Sequence, residues 1–169
     1  IGEGQSICFS AGRMGFYALM EALEIGEGDE VILQGATCSV MANAILRRKA
    51  VPIYSDVDPE TYGSCVGAVE SVITRRTRLI VAQHSFGIPC KINPIVKLAK
   101  AKGIFLLEDC ALTLGTTIGG VACGNFGQAA LFSTDNTKPL NTLIGGLIYT
   151  TDSKLHSKLK AIQFKSGQL

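Results

Sequence analysis

Short, almost uninterrupted apolar runs alternate along this chain with segments in which apolar residues recur at helical spacing. The runs predict strands at Val31–Leu33, Val51–Asp56, Leu79–Ala82, Ile104–Leu107, 129–132 and Leu147–Thr150, and a hairpin tip at Ile118–Val121. The helical spacing predicts helices over 13–25, 40–48, 66–74 and 92–102, with a last one marked by Leu155, Leu159 and Ile162. Apolar strands that are each followed by a helix are typical of parallel sheets covered on both faces. The sequence therefore predicts an α/β fold, a three-layer sandwich around a mostly parallel sheet.

Size and composition exclude several classes of protein. The 169 residues suffice for a single domain, residues 1–169, with a full hydrophobic core. Hydrophobic residues make up 47% of the chain and charged residues 18%, which excludes a disordered protein. The net charge of +2 gives no indication of nucleic acid as a partner. No apolar stretch approaches the roughly 18 residues of a membrane span, so we expect no membrane insertion.

The cysteines and the first residues bear on the cellular compartment. Six widely spaced cysteines form no C-x-x-C pair: Cys8, Cys38, Cys65, Cys90, Cys110 and Cys123. This spacing favours free thiols in a reducing compartment over a disulfide framework or a zinc site. The first residues lack the basic region and apolar run of a signal peptide. We therefore expect a cytoplasmic protein, and the missing initial Met indicates a chain that is processed or cut from a longer one.

Ligands of open α/β sheets bind beyond the carboxyl ends of the strands. That rule selects four places: Ser10–Arg13, the 34–39 loop, Glu108–Asp109 and Ser133–Lys138. In the first of these, Gly12 and Arg13 precede a predicted helix, whose free N–H groups and dipole favour a phosphate. Gly12 would let the anion approach closely, and Arg13 would add charge. The alternative is an ordinary tight turn with a surface arginine.

Asp109 ends the most apolar strand of the chain. A carboxylate there is partly desolvated and needs a cation or hydrogen-bond donors; the alternative is a helix cap or a salt-bridged strand end. Glu108 alternates to the opposite face of the strand, and we expect it to be structural. Lys138 precedes Pro139, which restricts the lysine backbone to extended conformations and helps to aim its side chain. The alternative for Lys138 is an ordinary solvated lysine.

Together these residues match the requirements of pyridoxal phosphate. The amine of Lys138 can form the Schiff base and later move a proton. Asp109 can pair with the pyridinium nitrogen and keep it protonated, so that the ring accepts carbanion charge. Ser133 and the helix that begins near Gly12 can hold the phosphate. The sequence thus predicts a pyridoxal phosphate site at one edge of the sheet.

Several short motifs that follow one another in a fixed order identify the chain further. They are Ile25–Ile32, Asp56–Tyr62, His84–Pro89, Glu108–Ala111, Phe132–Ser133, Lys138–Leu140 and Gly145–Gly146. Through them, residues 10 to 155 resemble the nucleotide-sugar aminotransferases of the DegT/StrS type, a family of fold-type-I pyridoxal phosphate enzymes. The resemblance implies the large, cofactor-binding domain of such an enzyme.

The resemblance also implies a role for each candidate residue. Lys138 stands at the position of the Schiff-base lysine, Asp109 at that of the partner of the ring nitrogen, and Ser133 at that of the phosphate-binding serine. Gly12 and Arg13 stand where the family has Gly-Thr at the phosphate. The family transfers an amino group, usually from glutamate, to a keto-sugar on a nucleoside diphosphate, in polysaccharide or cell-surface sugar synthesis. It works as a homodimer whose active site takes residues from both subunits.

Three departures from the family pattern matter. Leu112 replaces the Gln or His that lies near the 3-hydroxyl group of the cofactor. The aromatic residue that stacks on the ring belongs within 36–38, where Cys38 is the expected contact instead. The family also continues into a second, smaller carboxy-terminal domain, which is absent from this sequence. The alternative function is therefore a truncated, non-catalytic remnant that keeps the fold and a dimer surface. Lys138 argues against the related sugar dehydratases, which have histidine at that position.

Overall fold

The structure is a computed structural model that describes residues 2–166. Its strands are β1 (Gln5–Phe9), β2 (Glu30–Gln34), β3 (Val51–Ser55), β4 (Thr77–Gln83), β5 (Phe105–Asp109), β6 (Thr117–Ile118), β7 (Val121–Ala122), β8 (Ala129–Ser133) and β9 (Gly146–Thr150). Its helices are α1 (Gly12–Ala22), α2 (Ser39–Arg47), α3 (Val66–Ser71), α4 (Ile92–Lys102) and α5 (Ser153–Ser166).

Seven of the strands form one sheet, in the order β1-β9-β8-β5-β4-β2-β3. Strand β9 runs antiparallel to both of its neighbours, β1 and β8. The pairs that lead from β8 through β5, β4 and β2 to β3 are all parallel. Strands β6 and β7 form the hairpin that the sequence indicates at Ile118–Val121. The mostly parallel sheet confirms the predicted α/β class.

Helices cover both faces of this sheet. On one face α1, α2 and α5 bury side chains such as Met20, Ile45 and Leu159 in a single core cluster. On the other face α3 and α4 contribute Val69 and Ile95 to a second cluster. Successive residues of the central strands alternate between the two clusters, as strand geometry requires. The result is the three-layer arrangement that the sequence predicts.

Two differences from the prediction have clear physical causes. Strand β1 was not predicted, because it is an edge strand in which only Ile7 is buried, and it lacks the apolar run of the central strands. Helix α1 ends at Ala22 rather than at residue 25. Glu24 adopts a left-handed conformation with φ 58°, and the N–H of Ile25 donates to the carbonyl of Met20 at 2.9 Å. Ile25 therefore belongs to the apolar pattern but reaches the core after the turn.

The remaining boundaries agree closely with the sequence pattern. Helix α3 ends at Ser71, three residues before its expected end, and α4 spans 92–102 as expected. Strand β5 ends with Glu108 and Asp109, as the sequence predicts. Both carboxylates are thus held by the sheet rather than by a loop. Within residues 2–166, no helix is long and apolar enough to cross a membrane.

Candidate active site

The carboxyl ends of β1, β2, β4, β5 and β8 meet at one edge of the sheet, because these strands run in the same direction. A cavity of about 210 Å³ opens at this edge. All six residues that the sequence assigns to the cofactor site line it: Gly12, Arg13, Cys38, Asp109, Ser133 and Lys138. They come from four separate strand-end connections, so the fold alone brings them together.

Asp109 is the last residue of β5 and lies between β4 and β8. The residue is 6% exposed, and its Oδ1 accepts a hydrogen bond from the N–H of Ala111 at 3.0 Å. Burial raises the pKa of Asp109 above its usual value, although the Ala111 N–H and the positive charge of Lys138 counteract part of this effect. The carboxyl group therefore favours a cationic ligand, which would compensate for the lost hydration.

Glu108 points to the opposite side of β5 and is completely buried. Four groups donate to its carboxylate at 2.6 to 3.2 Å: the N–H groups of Gly124, Phe126 and Gly127, and Nε2 of His84. Burial alone would raise the pKa of Glu108, but these hydrogen bonds outweigh it and hold the pKa below its usual value. Glu108 is thus a buried, fully hydrogen-bonded anion, which agrees with the structural role expected for it.

Lys138 lies in the loop that joins β8 to β9. The loop is closed by a hydrogen bond from the N–H of Thr134 to the carbonyl of Gly145 at 3.0 Å, and the N–H of Lys138 donates to the carbonyl of Asp135 at 2.9 Å. Lys138 is half-buried and lines the same cavity as Asp109. In the described part of the chain, no direct ion pair joins these two residues. A ligand in this cavity can therefore contact both the amine and the carboxylate.

The opposite end of the cavity is suited to an anion. Helix α1 starts at Gly12. The N–H groups of Met14 and Gly15 donate to the carbonyl of Ala11, whereas those of Gly12 and Arg13 have no acceptor within the helix. A Cβ atom on Gly12 would lie 3.6 Å from Cβ of Ser133, so the serine is directly beside the helix start. A Cβ atom on Gly146 would overlap the backbone nitrogen of Gly12. The glycine at the start of β9 is therefore required for this close approach.

A second cavity of about 190 Å³ adjoins the first, and Cys38, Asp109 and Lys138 line both. Gln83 is the last residue of β4, and Ser85 lies two residues further along the chain. Of the two cavities, these residues line the second and not the first. Neither residue is among the site residues predicted from the sequence, although Ser85 lies within the motif His84–Pro89. The strand-end rule would have found them, since β4 ends at Gln83 on the same edge of the sheet.

Comparison with known proteins identifies the family. Residues 1–168 match the model of the DegT/DnrJ/EryC1/StrS aminotransferase family. The chain belongs to this family. The resemblance inferred from the motifs is thereby confirmed.

Individual family members show the same relationship. GDP-perosamine synthase of Escherichia coli O157:H7 is 38% identical over 160 residues, which are 95% of this chain and 43% of that protein. An aminotransferase from Psychrobacter cryohalolentis superposes with a TM-score of 0.89 at 31% identity, over 92% of this chain and 40% of that one. NtdA from Bacillus subtilis, solved with the bound cofactor PMP, superposes with a TM-score of 0.84 at 27% identity, over 91% and 35% respectively. The chain thus spans less than half the length of these relatives.

Proposed function

We propose that this chain carries the cofactor-binding part of a pyridoxal phosphate-dependent aminotransferase that acts on a nucleotide-linked keto-sugar, with glutamate as the amino donor. The observation that carries the proposal is the placement of Lys138 and Asp109 on one cavity whose far end is the start of α1. The function named for GDP-perosamine synthase, at 38% identity, supports the substrate class.

The residues of the cavity fit pyridoxal phosphate group by group. Lys138 supplies a primary amine for the aldehyde, and Asp109 supplies a buried carboxylate for the ring nitrogen. The start of α1 at Gly12, the hydroxyl of Ser133 and the guanidinium of Arg13 would hold the phosphate. When bound, the cofactor supplies an electron sink for the carbanion that forms at the reacting carbon. Burial raises the pKa of Asp109, and a cationic group beside its carboxylate, such as a protonated ring nitrogen, would offset that effect.

Each residue then has a defined task in the transfer of the amino group. With the cofactor bound, the carboxylate of Asp109 would keep a proton on the ring nitrogen, and the amine of Lys138 would remove and return the proton of the reacting carbon. The donor amino acid leaves as its keto acid, and the sugar carbonyl carbon becomes an amine-bearing carbon. The donor carbon is oxidised as the sugar carbon is reduced, so no external oxidant or reductant is needed.

A homodimer is part of the proposal. Large apolar side chains are exposed near the site: Phe86 is 78% exposed, and Leu143 and Ile144, in the loop that carries Lys138, are 75% and 70% exposed. Exposed apolar side chains grouped in this way favour burial against a second subunit. Light scattering on the chain in solution measures this directly, and a strictly monomeric protein at high concentration would contradict the dimer.

We place the reaction in the cytoplasm, in the synthesis of polysaccharides or cell-surface sugars. All six cysteines are free in the structure, and Cys90, Cys110 and Cys123 are buried. Free thiols persist in reducing compartments, where nucleotide sugars would meet the enzyme.

The alternative is a non-catalytic remnant that keeps the fold and the dimer surface. Two observations favour it: Cys38 offers no aromatic face to the ring, and Leu112 offers no hydrogen bond to the 3-oxygen. Each such contact is worth on the order of 1 kcal/mol.

Glutamate distinguishes the two functions. The chain is loaded with pyridoxal phosphate and incubated with glutamate, and both loss of the yellow colour and appearance of 2-oxoglutarate are followed. The proposal predicts stoichiometric 2-oxoglutarate from the wild-type chain and none from Lys138→Ala. A wild-type chain that binds the cofactor but produces no keto acid would establish the remnant.

A further inference from the structure

Gln83 has hydrogen-bonding capacity that the described part of the chain does not use. Its Nε2 donates to Oγ of Ser85 at 3.3 Å, while its Oε1 is buried and has no partner among residues 2–166. The oxygen and nitrogen of a glutamine amide are interchangeable in such assignments. If the nitrogen lies beside Ser85, one of its two N–H groups donates to Ser85 and the second is available. If the amide is turned over, so that the oxygen lies beside Ser85, both N–H groups are available. In either orientation, Gln83 keeps an N–H that it can donate.

The side chain of Gln83 lies at the candidate active site. Gln83 is the residue of β4 paired with Asp109 of β5 in the parallel register. Paired residues of neighbouring strands project to the same face of a sheet, from backbones about 4.8 Å apart. Gln83 and Asp109 also line the second cavity together with Lys138. Gln83 is therefore a direct sheet neighbour of Asp109, the residue proposed to bind the ring nitrogen, and the neighbour on the other side, Leu131 of β8, is apolar.

The second cavity is where the 3-oxygen of the cofactor would lie. In pyridoxal phosphate, the ring carbon that bears the reactive aldehyde lies between the ring carbon that bears the phosphate arm and the ring carbon that bears the 3-oxygen. Lys138 lines both cavities, and the phosphate end belongs to the first. With the phosphate at that end, the 3-oxygen would be directed toward the second cavity. There Leu112 presents an apolar side chain, and Gln83 and Ser85 present polar ones.

We infer that Gln83 donates a hydrogen bond to the 3-oxygen of pyridoxal phosphate and so takes the place of the donor missing at Leu112. This inference rests on the proposed function, because it requires the cofactor in this cavity. Ser85 orients the amide of Gln83, since its Oγ also accepts a hydrogen bond from Nε2 of Gln34 at 3.1 Å. Gln83 is accordingly a further cofactor-binding residue, supplied by a strand different from the one that carries Asp109.

The test is a rescue experiment on the 169-residue chain with pyridoxal phosphate. Two quantities are measured: the dissociation constant of the cofactor, and the pH midpoint at which the bound cofactor loses its yellow colour. Gln83→Leu should weaken binding roughly tenfold, as expected for one lost hydrogen bond to a charged group. It should also raise the pH midpoint. The N–H of Gln83 stabilises an anionic 3-oxygen most strongly once the adjacent nitrogen of Lys138 has lost its proton. Loss of this donor in Gln83→Leu therefore favours the form in which that nitrogen is still protonated.

Adding Leu112→Gln to the Gln83→Leu variant should restore both quantities, because it returns a donor to the same cavity from the other side. Gln5→Leu, the same substitution on an exposed residue of β1, should change neither. Thermal unfolding of each variant reports whether the fold is intact.

The outcomes separate this inference from the proposed function. If the wild-type chain takes up no pyridoxal phosphate, the proposed function fails for this chain, and the inference fails with it. If the wild type binds and Gln83→Leu behaves in the same way, only the inference fails. A loss in Gln83→Leu that Leu112→Gln does not restore would make Gln83 a structural residue.

Discussion

Glu108 and Asp109 are adjacent residues of β5, yet the pKa values of their carboxyl groups are shifted in opposite directions. Glu108 accepts four hydrogen bonds and has a lowered pKa, whereas Asp109 accepts one from Ala111 and has a raised pKa. Strand alternation directs the first into the protein and the second into the cavity. One carboxylate therefore stabilises the fold, and the other is left for a ligand.

Glu108→Gln is expected to lower the free energy of unfolding by about 3 kcal/mol. The amide nitrogen of glutamine would replace one carboxylate oxygen, so the N–H groups that now donate to that oxygen would lose their acceptor. Chemical denaturation of the unliganded chain measures this. Glu27→Gln, on an exposed turn, is the matched control and should change stability little. Equal stability of the two variants would show that the Glu108 hydrogen bonds contribute nothing.

The stability of the chain should fall in acid partly through Glu108. Because the folded state holds the pKa of Glu108 below its ordinary value of 4.5, its contribution is present above that value and is lost as the pH falls through the lowered pKa. Unfolding free energies measured from pH 7 to pH 3 should therefore decline more steeply for the wild type than for Glu108→Gln. The lowered pKa values of Glu30 and Asp58 act equally in both proteins. Parallel declines would contradict this assignment.

Asp109→Asn should have the opposite effect on stability. The raised pKa of Asp109 means that the folded state disfavours its charged form, so a neutral isostere should leave the melting temperature of the unliganded chain unchanged or higher. Pyridoxal phosphate should bind about 10- to 100-fold more weakly, because a hydrogen bond to a charged group is lost. A fall in melting temperature with unchanged cofactor affinity would make Asp109 structural.

Cys38→Phe should tighten cofactor binding. Cys38 is exposed and lines both cavities, so an aromatic ring at this position can contact the bound pyridine. Aromatic pairs contribute about 0.5–1.5 kcal/mol beyond burial, which corresponds to an affinity gain of roughly 2- to 10-fold. Titration of the apo chain with pyridoxal phosphate measures the gain, with Cys8→Phe on β1 as the control. A weaker complex would show that the ring does not lie against residue 38.

The sequence predicts much of this fold because its central strands are buried on both faces. Short continuous apolar runs such as Leu79–Ala82, each followed by a helical segment, are typical of buried parallel strands, and they locate β2, β4 and β5. The edge strand β1 carries no such signal, since solvent covers most of its side chains. The end of α1 at Ala22 depends on the left-handed conformation of Glu24. Glutamate is not a residue type that predicts such a conformation.

Most residues of the candidate site could also be predicted from the sequence. The strand-end rule located Gly12, Asp109, Ser133 and Lys138, because parallel strands deliver their carboxyl ends to one edge. The same rule includes the position of Gln83 at the end of β4, but a glutamine at the end of an apolar strand has no distinctive chemistry in isolation. Its relevance depends on the register that pairs it with Asp109, and register is a property of the folded sheet.

The most direct test of the account is the site of covalent cofactor attachment. The chain is saturated with pyridoxal phosphate, reduced with borohydride, digested and examined by mass spectrometry, alongside Lys138→Ala. The account predicts one reduced pyridoxyl adduct, on the peptide that contains Lys138, and its loss in the variant. Equal labelling of Lys138→Ala, or an adduct confined to other lysines, would contradict it.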